Sequence, residues 1–296
     1  MPVVIFFACL DLEQKPLFMD GHKLMKDIPK IDYSDLDRPE ILLALFHPRP
    51  EWKISEKTNS ADDFLIPVEK NVVVNARFYL AEKTAPNILF FHGNGEIISD
   101  YDELGPIYNS MGINFLPVDY RGYGRSTGRP TVTAMMRDCH VIFRFIKSRL
   151  NEKDYSGRFI IMGRSLGSAS ALEIAAHYEA EIDALIIESG FAYIGPLLQL
   201  LGADINTAVS GRDADLQNID KIKAFHKPAL IIHAEKDHII PFSEGQTLYE
   251  NCGAAHKFFL KIPGANHNDI FIWGFREYMS AIKTLVFPIK GPPERP

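Results

Sequence analysis

Phe159-Ile160-Ile161-Met162-Gly163-Arg164-Ser165-Leu166-Gly167-Ser168-Ala169-Ser170-Ala171-Leu172 is the stretch on which the reading of this chain turns. Its first four residues form a short, β-rich apolar run, which predicts a strand over 159–162. The Ala-rich run from Ser168 to Tyr178 predicts a helix. Between them stands Gly163-Arg164-Ser165-Leu166-Gly167. A sharp turn from strand to helix holds its serine at strained backbone angles and exposes the hydroxyl above the sheet. The helix N-terminus beside it favours negative charge. The flanking glycines let the two backbones approach without Cβ clashes. Gly-x-Ser-x-Gly is common by chance; its place between a strand and a helix makes Ser165 a candidate nucleophile.

The same rhythm extends to both sides. Phe64–Val68 and Val72–Leu80 flank Lys70-Asn71 and predict a hairpin. Asn87–Phe91, Ile113–Val118, Ala184–Ile187, Ala229–His233 and Lys257–Ile262 are short apolar runs of the kind found in parallel strands buried on both faces. The clearest helix covers 131–149, with Thr131 as N-cap and Val132, Met135, Cys139, Ile142, Phe143 and Ile146 at three- and four-residue steps. Alternation of this kind predicts an α/β fold, a mostly parallel sheet of about eight strands with helices on both faces. The interval between the runs at 184–187 and 229–233 is longer than a crossover helix needs, so 191–226 is expected to form a small inserted cap. The expected organisation is an N-terminal extension over 1–61, a main domain over 62–290 carrying that cap, and a disordered tail over 291–296.

A serine hydroxyl needs a base to become a nucleophile at neutral pH. His267 stands in Pro263-Gly264-Ala265-Asn266-His267-Asn268, a loop after the last expected strand. The base in turn needs an acid that sets its tautomer. Asp237 lies just past the strand 229–233, at the carboxyl edge where α/β sheets carry their sites. Glu235 and Glu188 are the alternative acids. The order Ser, Asp, His differs from the orders of chymotrypsin and subtilisin. A negative oxygen formed on attack would need two fixed N–H donors. The amide of Leu166 is one candidate; the other is the Asn94 amide in His92-Gly93-Asn94-Gly95-Glu96, with Gly95 second. His92 reads as a structural hydrogen-bonding residue.

Together with the Ser165 pentapeptide, Phe91-His92-Gly93-Asn94-Gly95, Asp119-Tyr120-Arg121-Gly122-Tyr123-Gly124-Arg125-Ser126, Leu230–Asp237 and Gly264–Asn268 resemble the α/β-hydrolase superfamily, most closely its serine-aminopeptidase-like and esterase-like branch. The resemblance covers roughly residues 62–285. It implies the α/β-hydrolase fold, a triad of Ser165, Asp237 and His267, no metal and no dissociable cofactor. It also implies that Asp119–Ser126 is a structural turn. The fold hosts many reactions, so the substrate stays open.

Bulk properties narrow the field. A net charge of −6 argues against nucleic acid as partner. The apolar start, Met1–Leu10, is too short to span a bilayer. Cys9, Cys139 and Cys252 are scattered, neither a disulfide framework nor a zinc set, and fit a cytoplasmic protein. His233 and His238 lack a third partner at ligand spacing. The expected activity is hydrolysis of a carboxylic ester or thioester, with a small-molecule acyl substrate. The alternatives are an aminopeptidase-like amide hydrolase and a catalytically silent binding protein. Ile194, Leu197, Leu198, Leu200 and Leu201 read first as the inner face of a cap helix and second as the wall of an acyl pocket. Asp204, Asp213 and Asp215 are candidates for an amine subsite. The oligomeric state is open.

Overall fold

The computed structural model describes residues 28–51, 61–202 and 216–288. In chain order its elements are a 3-10 turn Ser34–Leu36, helix α1 Pro39–Leu45, strands β1 Ala61–Glu69, β2 Val72–Tyr79 and β3 Asn87–Phe91, and a 3-10 turn Ile98–Tyr101. Helix α2 Leu104–Ser110, strand β4 Asn114–Val118, helix α3 Val132–Glu152, strand β5 Phe159–Arg164 and helix α4 Gly167–His177 follow. Then come a 3-10 turn Glu179–Glu181, strand β6 Ala184–Glu188, helices α5 Ile194–Leu200 and α6 Asn218–Lys223, strand β7 Ala229–Ala234, helix α7 Phe242–Asn251, strand β8 Lys257–Ile262 and helix α8 Ile270–Val286.

All eight strands join one sheet in the order β1-β2-β4-β3-β5-β6-β7-β8. β1 and β2 form the antiparallel hairpin, with Asn71 in the left-handed region at its turn. β2 also meets β4 antiparallel, and every later pairing is parallel. The apolar strands bury alternate residues on opposite faces, as the period of two requires. Leu89, Phe91, Ile161, Leu185, Ile187 and Ile231 join one core with α3 and α4. Ile88, Phe90, Ile160, Met162, Ile186 and Leu230 join the second, with Tyr108 of α2 and Tyr278 of α8. This double burial explains why the strand sequences read as unbroken apolar runs. Each fully buried Ile or Leu is worth about 1.5–3 kcal/mol relative to exposure.

α3 starts where the sequence places its cap: the Thr131 side chain accepts from the Ala134 amide at 3.0 Å. It runs on to Glu152, and the chain leaves it through Asp154 in the left-handed region. Of the segment expected as an extension, the described residues pack on the first core through Leu36, Ile41, Leu45 and Phe46. Within 191–226, Ile194, Leu197 and Leu198 of α5 are buried, while Leu200 and Leu201 are exposed. Asp204, Asp213, Asp215, Cys9 and the tail 291–296 lie outside the described residues. No described helix is long and apolar enough to cross a membrane.

One ionic cluster in the first layer ties α3, α4 and α6 together. Glu173 of α4 accepts from His140 Nε2 at 3.1 Å and pairs with Lys221 Nζ at 2.6 Å. Burial alone raises the Glu173 carboxyl, but the bond to His140 and the Lys221 charge outweigh it and hold the group at about 2. A folded value below the unfolded one adds stability that is present above the unfolded range and disappears as pH falls toward the folded value. Glu173→Gln should therefore cost about 3 kcal/mol in urea unfolding at pH 7. The loss of stability between pH 4.5 and 2 should be shallower in the variant than in the parent.

Candidate active site

Ser165 follows the last residue of β5 and adopts φ +51°. That left-handed geometry costs a β-carbon residue on the order of 1–3 kcal/mol and survives only where the surroundings over-determine it. Here they do. The Ser165 amide donates to the Glu188 carbonyl at 2.9 Å, and the Ser165 carbonyl accepts from the Ser168 amide at 3.0 Å. The flanking glycines are steric necessities. A β-carbon on Gly163 would lie 2.3 Å from the Gly167 carbonyl oxygen, and one on Gly167 would lie 2.1 Å from that of Phe91.

The other two residues arrive from neighbouring strand ends. Asp237 follows β7, and its Oδ1 accepts from the amides of Ile239 at 2.9 Å and Ile240 at 2.8 Å. His267 follows β8 in a loop closed by Asp269, which accepts from the Asn266 amide at 2.7 Å and from the Asn266 side chain at 2.9 Å. His267 Nδ1 lies 2.7 Å from Asp237 Oδ2, and His267 Nε2 lies 3.0 Å from Ser165 Oγ. The three side chains named from the sequence thus meet, and all are largely buried, with Ser165 7%, Asp237 8% and His267 3% exposed.

The electrostatics set the direction of that chain. Burial pushes the Asp237 carboxyl up, but its bond to His267 and the amide of Ile240 prevail and hold it below the usual range. The ionised carboxylate only accepts, so Nδ1 carries a proton and Nε2 presents its lone pair to the hydroxyl. His233 sits alongside, 3.5 Å from Asp237 Oδ2, and donates to the Ile240 carbonyl at 2.9 Å. Burial keeps its imidazole below the usual value, so it adds no charge beside Asp237 at neutral pH.

Both alternative acids are engaged elsewhere. Glu235 pairs with Lys261 at 2.7 Å and accepts from the Gly264 amide at 2.9 Å. Glu188 pairs with Arg164 Nε at 3.0 Å and accepts from the Tyr278 hydroxyl at 2.6 Å. His92 bridges the Gly93 carbonyl at 2.8 Å and Asp119 at 3.2 Å, a structural role. The Leu166 amide opens α4, and the loop carrying Asn94 stands at the end of β3, the strand next to β5. Neither amide has an acceptor among the described residues.

Sequence reasoning missed Arg164. It is the variable residue before the serine, and nothing in the motif assigns it a task. In the fold its guanidinium pairs with Glu188, pairs with Glu96 of the Asn94 loop, and donates to the His267 carbonyl at 2.8 Å. Glu96 also accepts from the Gly93 amide at 2.6 Å and the Tyr101 hydroxyl at 2.6 Å. Burial opposes the charge on Arg164, but the two carboxylates raise its affinity for the proton. An Arg whose partners come from three distant segments has no sequence signature; only the acids at 96, in the loop after β3, and at 188, the last residue of β6, could have hinted at it.

One described group of three side chains could hold a cation: His140, Glu173 and His177, whose donor atoms lie within 4.8 Å of one another. Lys221 already neutralises its carboxylate. Glu173 and His177 lie eight and twelve residues beyond Ser165 along α4, about 12 to 18 Å away at the helical rise. The group therefore has no part in the arrangement around Ser165.

Residues 82–210 match the family model described as serine aminopeptidase, S33. The chain is 30% identical over 245 residues to human alpha/beta hydrolase domain-containing protein 17B, covering 80% of each chain. It is 28% identical to the mouse alpha/beta hydrolase domain-containing protein 17C, covering 80% of this chain and 72% of that one. Among solved structures it is similar to the Pyrococcus furiosus esterase Pf2001, with a TM-score of 0.65 and 15% identity over 81% of this chain and 96% of that one. It is also similar to a soluble variant of monoglyceride lipase from Saccharomyces cerevisiae, with a TM-score of 0.60 and 17% identity over 80% of this chain and 98% of that one.

Removing the Arg164 charge should strand two carboxylates, the buried Glu188 and the half-buried Glu96. Arg164→Met is expected to lose about 3–5 kcal/mol in denaturant unfolding. Adding Glu96→Gln and Glu188→Gln in the same chain should recover most of that loss.

Proposed function

Because this chain belongs to the α/β-hydrolase superfamily, we propose that it is a serine hydrolase that cleaves a carboxylic ester or thioester through an acyl-enzyme on Ser165. The observation that carries this reading is the unbroken hydrogen-bonded series from Ser165 Oγ through the His267 ring to Asp237, at 3.0 and 2.7 Å.

In this mechanism Ser165 Oγ attacks the carbonyl carbon while its proton passes to His267 Nε2. The imidazolium is stabilised by Asp237, which stays ionised. The carbonyl oxygen becomes negative and accepts from the amides of Leu166 and Asn94. Each such preset donor is worth about 2.7–4 kcal/mol in the transition state. The tetrahedral adduct collapses, the bond to the leaving oxygen or sulfur breaks, and His267 Nε2–H protonates that atom. A water then gives its proton to Nε2 and its oxygen to the acyl carbon. The carboxylic acid departs and Ser165 regains its proton. The substrate is a small acyl compound, and the free, buried thiols of Cys139 and Cys252 support a reducing, cytoplasmic setting.

A fluorophosphonate should label the parent protein on Ser165, located by peptide mass spectrometry. Ser165→Ala should lose the label and about 10⁴-fold or more in turnover of p-nitrophenyl acyl esters, with an unchanged unfolding midpoint. His267→Ala should fall nearly as far, because the members act as one unit. Full ester turnover in Ser165→Ala would refute the reading. Aminoacyl p-nitroanilides turned over faster than any ester in the panel would move the assignment to an aminopeptidase-like amide hydrolase.

A further inference from the structure

We propose that the segment 46–51 is a positioning element for the loop that carries the Asn94 amide, with His47 and Arg49 as its working side chains. The inference rests on the reading of Asn94 as an oxyanion donor and goes beyond it, because it gives the segment before the sheet a part in turnover.

Asn94 is read at both ends of its side-chain amide by one residue. Its Oδ1 accepts from the His47 backbone amide at 2.8 Å, and its Nδ2 donates to His47 Nδ1 at 2.7 Å. An amide nitrogen cannot accept, so the ring nitrogen must, and the orientation of Asn94 follows. The Tyr123 hydroxyl completes Oδ1 at 2.7 Å. The next residue, Gly95, has φ +74°, and its carbonyl accepts from Arg49 Nε at 2.7 Å. The Arg49 guanidinium also pairs with Asp100 in the following 3-10 turn.

The segment making these bonds is itself held at both ends. Leu45 and Phe46 are buried in the first core. Beyond Arg49 the backbone pairs with Gly124: the Gly124 amide donates to the Arg49 carbonyl at 2.9 Å and the Glu51 amide to the Gly124 carbonyl at 3.1 Å. So the loop 93–96 is gripped from two sides, by Arg164 through Glu96 from within and by His47 and Arg49 from without. A strut of this kind resists displacement of the loop.

Energetics separate positioning from mere stability. His47 is exposed, and the Arg49 and Asp100 side chains are 46% and 39% exposed. Exposed polar pairs contribute little to folding, in the range of about 0–1 kcal/mol. Yet a displacement of about 1 Å at a reacting group can cost on the order of 10²-fold in rate. Residues that hold the donor loop should therefore move turnover far more than they move stability.

The test uses the full chain, a p-nitrophenyl ester and an alkyl trifluoromethyl ketone, which adds to a serine hydroxyl as a tetrahedral oxyanion. His47→Ala and Arg49→Ala should each lower kcat about tenfold or more. KM should stay within about twofold and the unfolding midpoint should not move. Ketone affinity should weaken in step with kcat. His47→Asn, which sets a carbonyl oxygen where Nδ1 stood, should restore most of kcat. Unchanged kcat in both alanine variants, a change in KM alone, or a fall in the midpoint that accounts for the lost rate would overturn the proposal. Fluorophosphonate labelling of the parent separates the two failures. A labelled parent whose variants turn over normally sinks this inference only, whereas an unlabelled parent sinks the hydrolase reading and this proposal with it.

Discussion

A single buried cation, the Arg164 guanidinium, joins the three chain segments on which the site depends. It bonds the Glu96 side chain in the loop after β3, Glu188 at the end of β6 and the backbone of His267 after β8. Glu96 and Glu188 would repel each other and pay a heavy desolvation cost if that charge were missing. The guanidinium suits the task because its planar fork offers five donors in fixed directions and keeps its proton when buried. Lysine would gather its three donors on one nitrogen, without the spread, planar fork that reaches Glu96, Glu188 and the His267 carbonyl from separate nitrogens.

The sheet explains why such a bridge is needed. Parallel strands place their carboxyl ends along one edge, and the loops there belong to segments far apart in the chain. Ser165 follows β5, Asp237 follows β7 and His267 follows β8, so one strand, β6, lies between the strands that carry the serine and the aspartate. Strand packing sets where each loop begins but not where its tip ends. The tips are set by local bonds: two amides on Asp237, Asp269 on Asn266, and Glu244 on the amides of Ala192 and Tyr193 that open the segment before α5. Backbone strain at Ser165 is tolerated because its amide and carbonyl are both hydrogen-bonded and the glycines on either side let the strand and helix backbones close in without a β-carbon clash.

The segment ahead of the sheet changes character once the fold is seen. In sequence it is a mixed, proline-broken stretch with no periodic signal. In the fold, residues 36–46 bury apolar side chains on the same core as α3 and α4, and residues 47–51 run against the turn at Gly124. The Asp119–Ser126 turn likewise does more than reverse the chain: Asp119 accepts from the Ile98 amide at 2.9 Å, Tyr120 donates to the His92 carbonyl at 2.7 Å, and Tyr123 reaches Asn94. Both segments bond the loop that follows β3, through His47, Arg49, Tyr120 and Tyr123.

The strands, the long helix with its Thr131 cap, the strained serine turn and the candidate partners Asp237 and His267 were all legible in the sequence. They are governed by local rules: periodicity, capping and the steric demand for glycine act within a few residues and leave their mark there. What tertiary structure alone decided is which acid faces His267, since Asp237, Glu235 and Glu188 all stand at or just past strand ends and differ in what else lies near them. Lys261 and the Gly264 amide take Glu235, while Arg164 and Tyr278 take Glu188. The roles of Arg164 and His47 were hidden for the same reason. A side chain whose partners come from segments tens of residues away has no local pattern to betray it, because its energy depends on distances that exist only after the chain has folded.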